Sequence, residues 1–266
     1  MSDIKRIVIK VGTSTLTHET GKTNIRQMEN LVKVISDIAN AGIEVALVSS
    51  GSIGVGMGKI GLNERPTDTA SKQALSTIGQ CELMFMYDKI FGEYGQSAGQ
   101  LLVTKRDLDN DEAKKNLINT FEKLFSYGVI PVINENDAVA VEEIVFGDND
   151  TLSAIVARLV KADKLIILTD IDGLYDDDPK ENPDAKVIPV VTQITESLFE
   201  KAGGRGSKFG TGGMITKLQA AQIAMEADID TVVCSGSDTD LIYDVIDGKQ
   251  VGTLFTNKDE YKRKRD

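Results

Sequence analysis

Two lysines, Lys10 and Lys217, stand with three glycine-rich turns and an Asn/Asp cluster at positions that read as strand exits or helix starts, an assortment suited to handling phosphate. Asn134, Glu135, Asn136 and Asp137 follow the apolar run Val129 to Ile133. Gly147, Asp148, Asn149 and Asp150 follow an alternating ribbon from Ala138 to Phe146. Two polar clusters from one hairpin make a site, although Asn, Asp and Gly are also ordinary turn residues. The apolar positions Leu152, Ile155, Val156, Leu159 and Val160 predict a helix with Asp150 at its capping end. Lys10 closes the run Ile7-Val8-Ile9 and precedes Gly12-Thr13-Ser14, so it either snorkels from an edge or points into a polar site. Ser49-Ser50-Gly51 ends a second strand with side chains small enough for a ligand to approach the backbone. Asp170 leaves the clearest buried strand, Lys164 to Thr169. Gly212-Gly213-Met214 leads through Ile215 and Thr216 to Lys217 at a helix start, where free N–H groups and a nearby cation can hold an anion.

Two familiar patterns fail on spacing. Gly21-Lys22-Thr23 imitates the end of a phosphate loop, but the required earlier glycine is Leu16. Gly56, Gly58 and Gly61 fit the dinucleotide fingerprint by letter, yet the strand ends eight residues too early. His18, the only histidine, lies in a polar loop and is read as solvated.

The positioning elements alternate. Strands at 6–11, 43–48, 99–104, 129–133 and 164–169 are separated by helices at 26–41, 70–91, 111–127 and from 150, and further strands follow at 229–233 and 251–255. This rhythm predicts an α/β fold, a mostly parallel sheet with helices on both faces and ligands at the carboxyl ends of the strands. The long second helix is apolar over a wide face, which suits either a place inside the core or a subunit interface; the run Met84-Phe85-Met86-Tyr87 favours the interface, hence a homo-oligomer.

With 266 residues, 41% hydrophobic and 27% charged, the chain can fill a sizeable core. A net charge of −11 argues against nucleic acid or an anionic membrane as the main partner, so an anionic ligand needs local cations. Cys81 and Cys234 lie far apart in sequence within apolar surroundings and read as buried free thiols of a reducing compartment, with a disulfide as the lesser alternative. No leader and no apolar stretch of membrane length is read, and the expected location is the cytoplasm.

The segments Ile9 to Ser14, Val48 to Gly51, Ser71-Lys72-Gln73, Pro131 to Ala140, Gly147 to Asp150, Leu168-Thr169-Asp170, Gly173-Leu174-Tyr175 and Gly210 to Met214 together resemble the amino-acid kinase family over nearly the whole chain. Asn134 to Asp137 with Gly147 to Asp150 resembles, more narrowly, the members that phosphorylate the γ-carboxylate of L-glutamate with ATP, the first step of proline biosynthesis. The resemblance implies a three-layer αβα sandwich forming one kinase domain over 1–258, with a charged tail at 259–266. It implies that Lys10 and Lys217 stabilise the phosphoryl group in flight and that Asp150 orients them. Ser50, Asp137 and Asn149 would hold glutamate, with Gly51, Asn134 and Asp148 in the same pocket. Gly12, Thr169, Asp170 and the segment Thr211, Gly212, Gly213, Met214 to Lys217 would meet ATP, with Mg2+ between its phosphates and no dedicated protein metal site. Many members of the family carry a further C-terminal domain, and this sequence stops about where it would begin. The resemblance also implies that proline, the end product, inhibits by binding in the glutamate pocket.

The chemistry agrees. A γ-carboxylate with a pKa of about 4.3 is ionised at neutral pH and attacks phosphorus without a general base. The obstacle is anion meeting anion, which cations and helix N-termini relieve. Asp137 suits the ammonium of an amino acid, and Ser50 with backbone N–H groups suits its carboxylate. Rival substrates within the family are acetylglutamate, aspartate, carbamate and nucleoside monophosphates. Acetylglutamate has no ammonium for Asp137, and a nucleotide would call for more arginine. A non-catalytic amino-acid sensor is the rival from another class, and Lys10, Asp150 and Lys217 weigh against it.

Overall fold

The computed structural model describes residues 4–18, 20, 22–139, 149–179, 181–203, 213–258 and 261. The chain divides into two compact units, residues 9–149 and residues 1–8 with 150–266, and β1 (Arg6–Val11) contributes to both.

In the unit 9–149, β1 leads into α1 (Thr13–Leu16) and then α2 (Ile25–Asn40). Asn24 caps α2 by accepting from Gln27 N, and Met28, Leu31, Val32, Ile35 and Ile38 form the buried stripe that their spacing requires. β2 (Glu44–Ser49) precedes α3 (Ser52–Ile60) and α4 (Thr69–Glu93). A Cβ built on Gly79 would lie 1.7 Å from the Ser52 carbonyl oxygen, and one on Gly56 would lie 2.0 Å from that of Leu75. Gly56 therefore serves the close crossing of α3 and α4, not a dinucleotide turn. β3 (Ser97–Val103), α5 (Lys105–Asp109), α6 (Asp111–Ser126) and β4 (Val129–Glu135) complete this unit. β3 and β2 each pair parallel with β4, in registers Ser97↔Val129 and Leu47↔Val132. Parallel strands need crossovers, and α3 to α4 and α5 to α6 supply them.

In the other unit, α7 (Asn149–Leu159) and β5 (Lys164–Thr169) are followed by β6 (Val190–Val191), α8 (Glu196–Gly203), α9 (Gly213–Met225), β7 (Asp230–Ser235), α10 (Leu241–Ile246) and β8 (Thr253–Phe255). β5 pairs parallel with β7 from Lys164↔Asp230 to Thr169↔Ser235, and Leu165 to Leu168 are fully buried. Burial on both faces explains why this strand is continuously apolar. β8 lies antiparallel to β7 and parallel to β6.

The strand order is β3-β4-β2-β1-β5-β7-β8-β6, a mostly parallel sheet flanked by helices, as the alternation of periodicities required. Several expectations need correction. Cys81 is exposed, because it falls on the outer side of α4, while Cys234 in β7 is buried. Within the Met84 to Tyr87 run, Tyr87 is fully buried and Phe85 is 62% exposed, so only part of that run faces outward. β4 continues through Asn134 and Glu135, both buried, where a strand ending at Ile133 was expected. The ribbon from Ala138 to Phe146 lies mostly outside the described residues. Among the described residues no helix is long and apolar enough to cross a membrane.

Candidate active site

In the unit 9–149, β2 and β4 run parallel, so Ser49-Ser50 and Asn134 to Asp137 leave the sheet at the same end. Ser50 N donates to Val11 O at 3.1 Å, which ties the exit of β1 to that of β2. Gly51 has φ +100, a left-handed conformation that glycine adopts without a Cβ penalty, and Thr13 lies 3.7 Å from the point a Cβ would occupy. The turns after β1 and β2 are thereby neighbours. Lys10 is 4% exposed in β1 and Gly12 begins the turn beyond it, so Lys10 points inward and does not snorkel from an edge.

Asn149, the residue that opens α7, closes a buried polar network. Its Nδ2 lies 3.0 Å from Ser49 O, 2.9 Å from Ser50 Oγ and 2.8 Å from Asn134 Oδ1. Backbone groups fix which end of each amide faces its partners, and the two Asn149 N–H groups are shared among three acceptors. Asn134 Oδ1 accepts from Glu135 N at 2.9 Å, so it is an oxygen, and Asn134 Nδ2 donates to Gln80 Oε1 at 2.9 Å. Asn149 must then present its amide nitrogen to Asn134, and the carbonyl of Ser49 requires the same. Behind Ser49, its hydroxyl and the Tyr87 hydroxyl share a 2.8 Å hydrogen bond. Burial pushes the Tyr87 phenol up from its ordinary value, with the Ser49 hydroxyl opposing, so it stays neutral. Such a network fixes side chains because each unpaired buried group would cost about 1–3 kcal/mol.

Asp137 follows β4 in a half-buried turn. Its Oδ2 accepts from Ser52 Oγ at 3.0 Å and from Ser76 Oγ at 2.7 Å. The two hydroxyls belong to α3 and α4, and both serines are 4% exposed. Oδ1 has no hydrogen-bond donor among the described residues and can accept a ligand cation.

In the unit 1–8 with 150–266, Asp150 lies within the first turn of α7, and its side chain is turned to another helix where the sequence suggested a cap. Its Oδ2 accepts from Lys217 Nζ at 3.1 Å and Thr216 Oγ1 at 2.9 Å. Lys217 Nζ also donates to Gly213 O at 2.9 Å. An ammonium has three donors, and two are used among the described residues, so a third N–H can meet a ligand anion. Lys217 is 6% exposed and Asp150 fully enclosed, which makes this a buried ion pair and not a loop lysine. At the exit of β5, Thr169 Oγ1 donates to Asp170 Oδ1 at 3.1 Å, and Gly236 N donates to Thr169 O at 2.6 Å. Asp170 is exposed there.

The structure thus joins Ser50, Asn134 and Asn149 directly, and joins Asp150, Gly213 and Lys217 directly. Met214 is half-buried in the first turn of α9. Lys10 and Lys217 belong to different units. Asp148, Thr211 and Gly212 lie outside the described residues. Sequence reading missed Ser52, Ser76, Gln80 and Tyr87 as site residues, and placed Thr216 only within the ATP segment. The available signal was that Ser76 and Gln80 interrupt the inward face of α4 marked by Leu75, Gly79 and Leu83. Among the described residues no three acidic, histidine or cysteine side chains converge on a cation position.

The family model described as the amino acid kinase family matches residues 5–235. A glutamate 5-kinase from Clostridium perfringens is 51% identical over 262 residues, covering 97% of each chain. One from Listeria welshimeri is 52% identical, covering 98% of this chain and 96% of that one. One from Caldanaerobacter subterraneus is 53% identical over 94% of this chain and 67% of its own length. Among solved structures, an isopentenyl phosphate kinase product complex from T. acidophilum superposes with a TM-score of 0.66 at 18% identity, covering 94% of this chain and 100% of that one. A UMP kinase from Bacillus anthracis gives 0.62 at 16% identity, covering 96% and 97%. At such identities the two structures establish the fold alone.

Proposed function

The chain belongs to the amino acid kinase family, and from that premise we propose that it transfers the γ-phosphoryl group of ATP to the γ-carboxylate of L-glutamate, giving glutamyl 5-phosphate for proline biosynthesis. The observation that carries the reading is the Asp137 carboxylate, whose Oδ1 has no donor among the described residues and which suits an amino acid's ammonium. The identity of about half of all residues to glutamate 5-kinases, over nearly the full length of two of them, supports the same substrate.

In this mechanism Asp137 pairs with the α-ammonium, while Ser50, Gly51 and Asn149 hold the α-carboxylate side, with Asn134 keeping Asn149 in place. The γ-carboxylate is already an anion and needs no base. Lys217 keeps one N–H for a phosphoryl oxygen, and Asp150 fixes its direction without neutralising the third donor. Lys10 is the second cation, and Asp148, Gly12, Thr169, Asp170 and 211–214 complete the substrate contacts that the family resemblance implies. Charge that develops on the transferring group is met by groups already oriented, which is where most catalytic stabilisation arises. Mg2+ on the nucleotide would offset the negative charge of the polyphosphate, and no protein ligand to it is assigned.

The proposal extends to one kinase domain over 1–258 with a charged tail at 259–266, a cytoplasmic location, and proline as a competitor whose ammonium would also meet Asp137. Exposed Ile60, Leu62 and Phe85 favour a homo-oligomer. The test is ADP release over a panel of glutamate, acetylglutamate and aspartate, with hydroxylamine trapping the acyl phosphate. Glutamate is expected to give the highest kcat/KM and a γ-hydroxamate. A better kcat/KM for acetylglutamate or aspartate would overturn the substrate and leave the family standing.

A further inference from the structure

A buried serine inside a helix ordinarily returns its proton to its own helix, at the carbonyl three or four residues back. Ser36 in α2 does this, donating to Val32 O at 2.7 Å, and Thr77 donates to Ala74 O at 2.7 Å. Ser76, next to Thr77, does not. Its hydroxyl leaves α4 and reaches Asp137 Oδ2 at 2.7 Å. Ser52, in the first turn of α3, reaches the same oxygen at 3.0 Å, and the two hydroxyls are 3.0 Å apart. Ser52 gives its proton to the carboxylate, and Ser76 shares its single proton between Asp137 Oδ2, the shorter contact, and the Ser52 hydroxyl, which accepts it.

This convergence depends on how tightly α3 and α4 cross. Side chains at 56 and 79 would collide with backbone oxygens of the opposite helix, one of them Ser52's own carbonyl. The glycine contact therefore sets the separation at which hydroxyls from two helices meet on one atom. Because both hydrogen bonds fall on Oδ2, Oδ1 keeps its lone pairs.

We propose that Ser52 and Ser76 are positioning residues that clamp the Asp137 carboxylate through Oδ2 and so present Oδ1 to the ammonium of the amino-acid substrate. The inference rests on the assignment of Asp137 to that ammonium. It makes the α3–α4 crossing a determinant of selectivity for substrates that carry an amine. Neither serine touches the transferring phosphoryl group, so the effect belongs to substrate binding.

The experiment measures steady-state kinetics in L-glutamate and ATP for Ser52→Ala, Ser76→Ala, the double variant and Asp137→Asn. It adds the inhibition constant of glutarate, which has both carboxylates of glutamate and no ammonium. Losing hydrogen bonds to a charged group is expected to raise KM for glutamate roughly 10-fold in the double variant, with each single variant between it and the parent. The turnover number, KM for ATP and the glutarate constant are expected to stay within about twofold, since none involves the ammonium. A merely structural role would weaken glutarate and glutamate in parallel, and that result overturns the clamp. So does an unchanged KM for glutamate in the double variant when Asp137→Asn raises it. An unchanged KM in Asp137→Asn removes the ammonium assignment itself.

Discussion

Lys217 Nζ lies 3.1 Å from Asp150 Oδ2, with the lysine 6% exposed and the aspartate fully enclosed. An exposed loop lysine would contribute less than about 1 kcal/mol to folding. A buried pair behaves differently, because removing one partner strands the other charge in a low dielectric at a cost of about 3 kcal/mol. Lys217→Met is therefore expected to lose stability by that order, measured by urea unfolding, as well as to lower kcat by roughly 100-fold or more with little change in KM for glutamate. Adding Asp150→Asn should restore part of the stability and none of the turnover. A Lys217→Met protein with parental stability and turnover would show that the pair serves neither purpose.

The nucleophile of the proposed reaction is ionised long before neutrality. The expected kcat is nearly flat from about pH 7 to 8.5, since no side chain has to lose a proton. A kcat profile that falls steeply on the acid side with a midpoint near neutrality would require a general base and so contradict the mechanism.

The two cysteines should separate by reactivity. Cys81 is exposed on α4, and Cys234 is buried in β7, where burial pushes its thiol up to about 12. A chromogenic disulfide reagent is expected to titrate one thiol per chain in the native protein and two in guanidinium. A folded-state pKa raised above the ordinary 9.0 means that the thiol's contribution to stability is complete below pH 9 and is lost as pH rises towards 12. Comparing the pH dependence of unfolding with that of Cys234→Ala isolates this term, and the variant should lose less stability over that window. Two thiols reacting natively, or identical slopes, would contradict the burial.

Lys161 occupies a left-handed conformation, φ 52, just past α7. Lys161 N donates to Arg158 O and Ala162 N donates to Ala157 O, a helix ending in which glycine is the usual residue. Lys161→Gly should stabilise the protein by about 0.5–1 kcal/mol, a rise in Tm of roughly 1–4 °C. A fall in Tm would show that the lysine side chain contributes more than its backbone strain costs.

What the sequence determined by itself was the alternation of strands and helices and the residue types gathered at strand exits. Hydrophobic periodicity is local, so α2, β5 and α6 could be placed to within a residue or two. Lys10, Ser50, Asn134, Asp137, Asn149, Asp150 and Lys217 stood out because polar residues that follow apolar runs are visible without coordinates. The short β6 and α10 escaped, because two or six residues carry too little of a period to distinguish them from a loop. Only the tertiary structure decided which polar groups share an atom. Ser52 and Ser76 are 24 residues apart and meet on Asp137 because two glycines let their helices nearly touch. Lys217 and Asp150, 67 residues apart, become a buried pair because α9 brings the lysine to α7. Such pairings depend on the distance between elements, and that distance is set by packing, which no local pattern in the chain encodes.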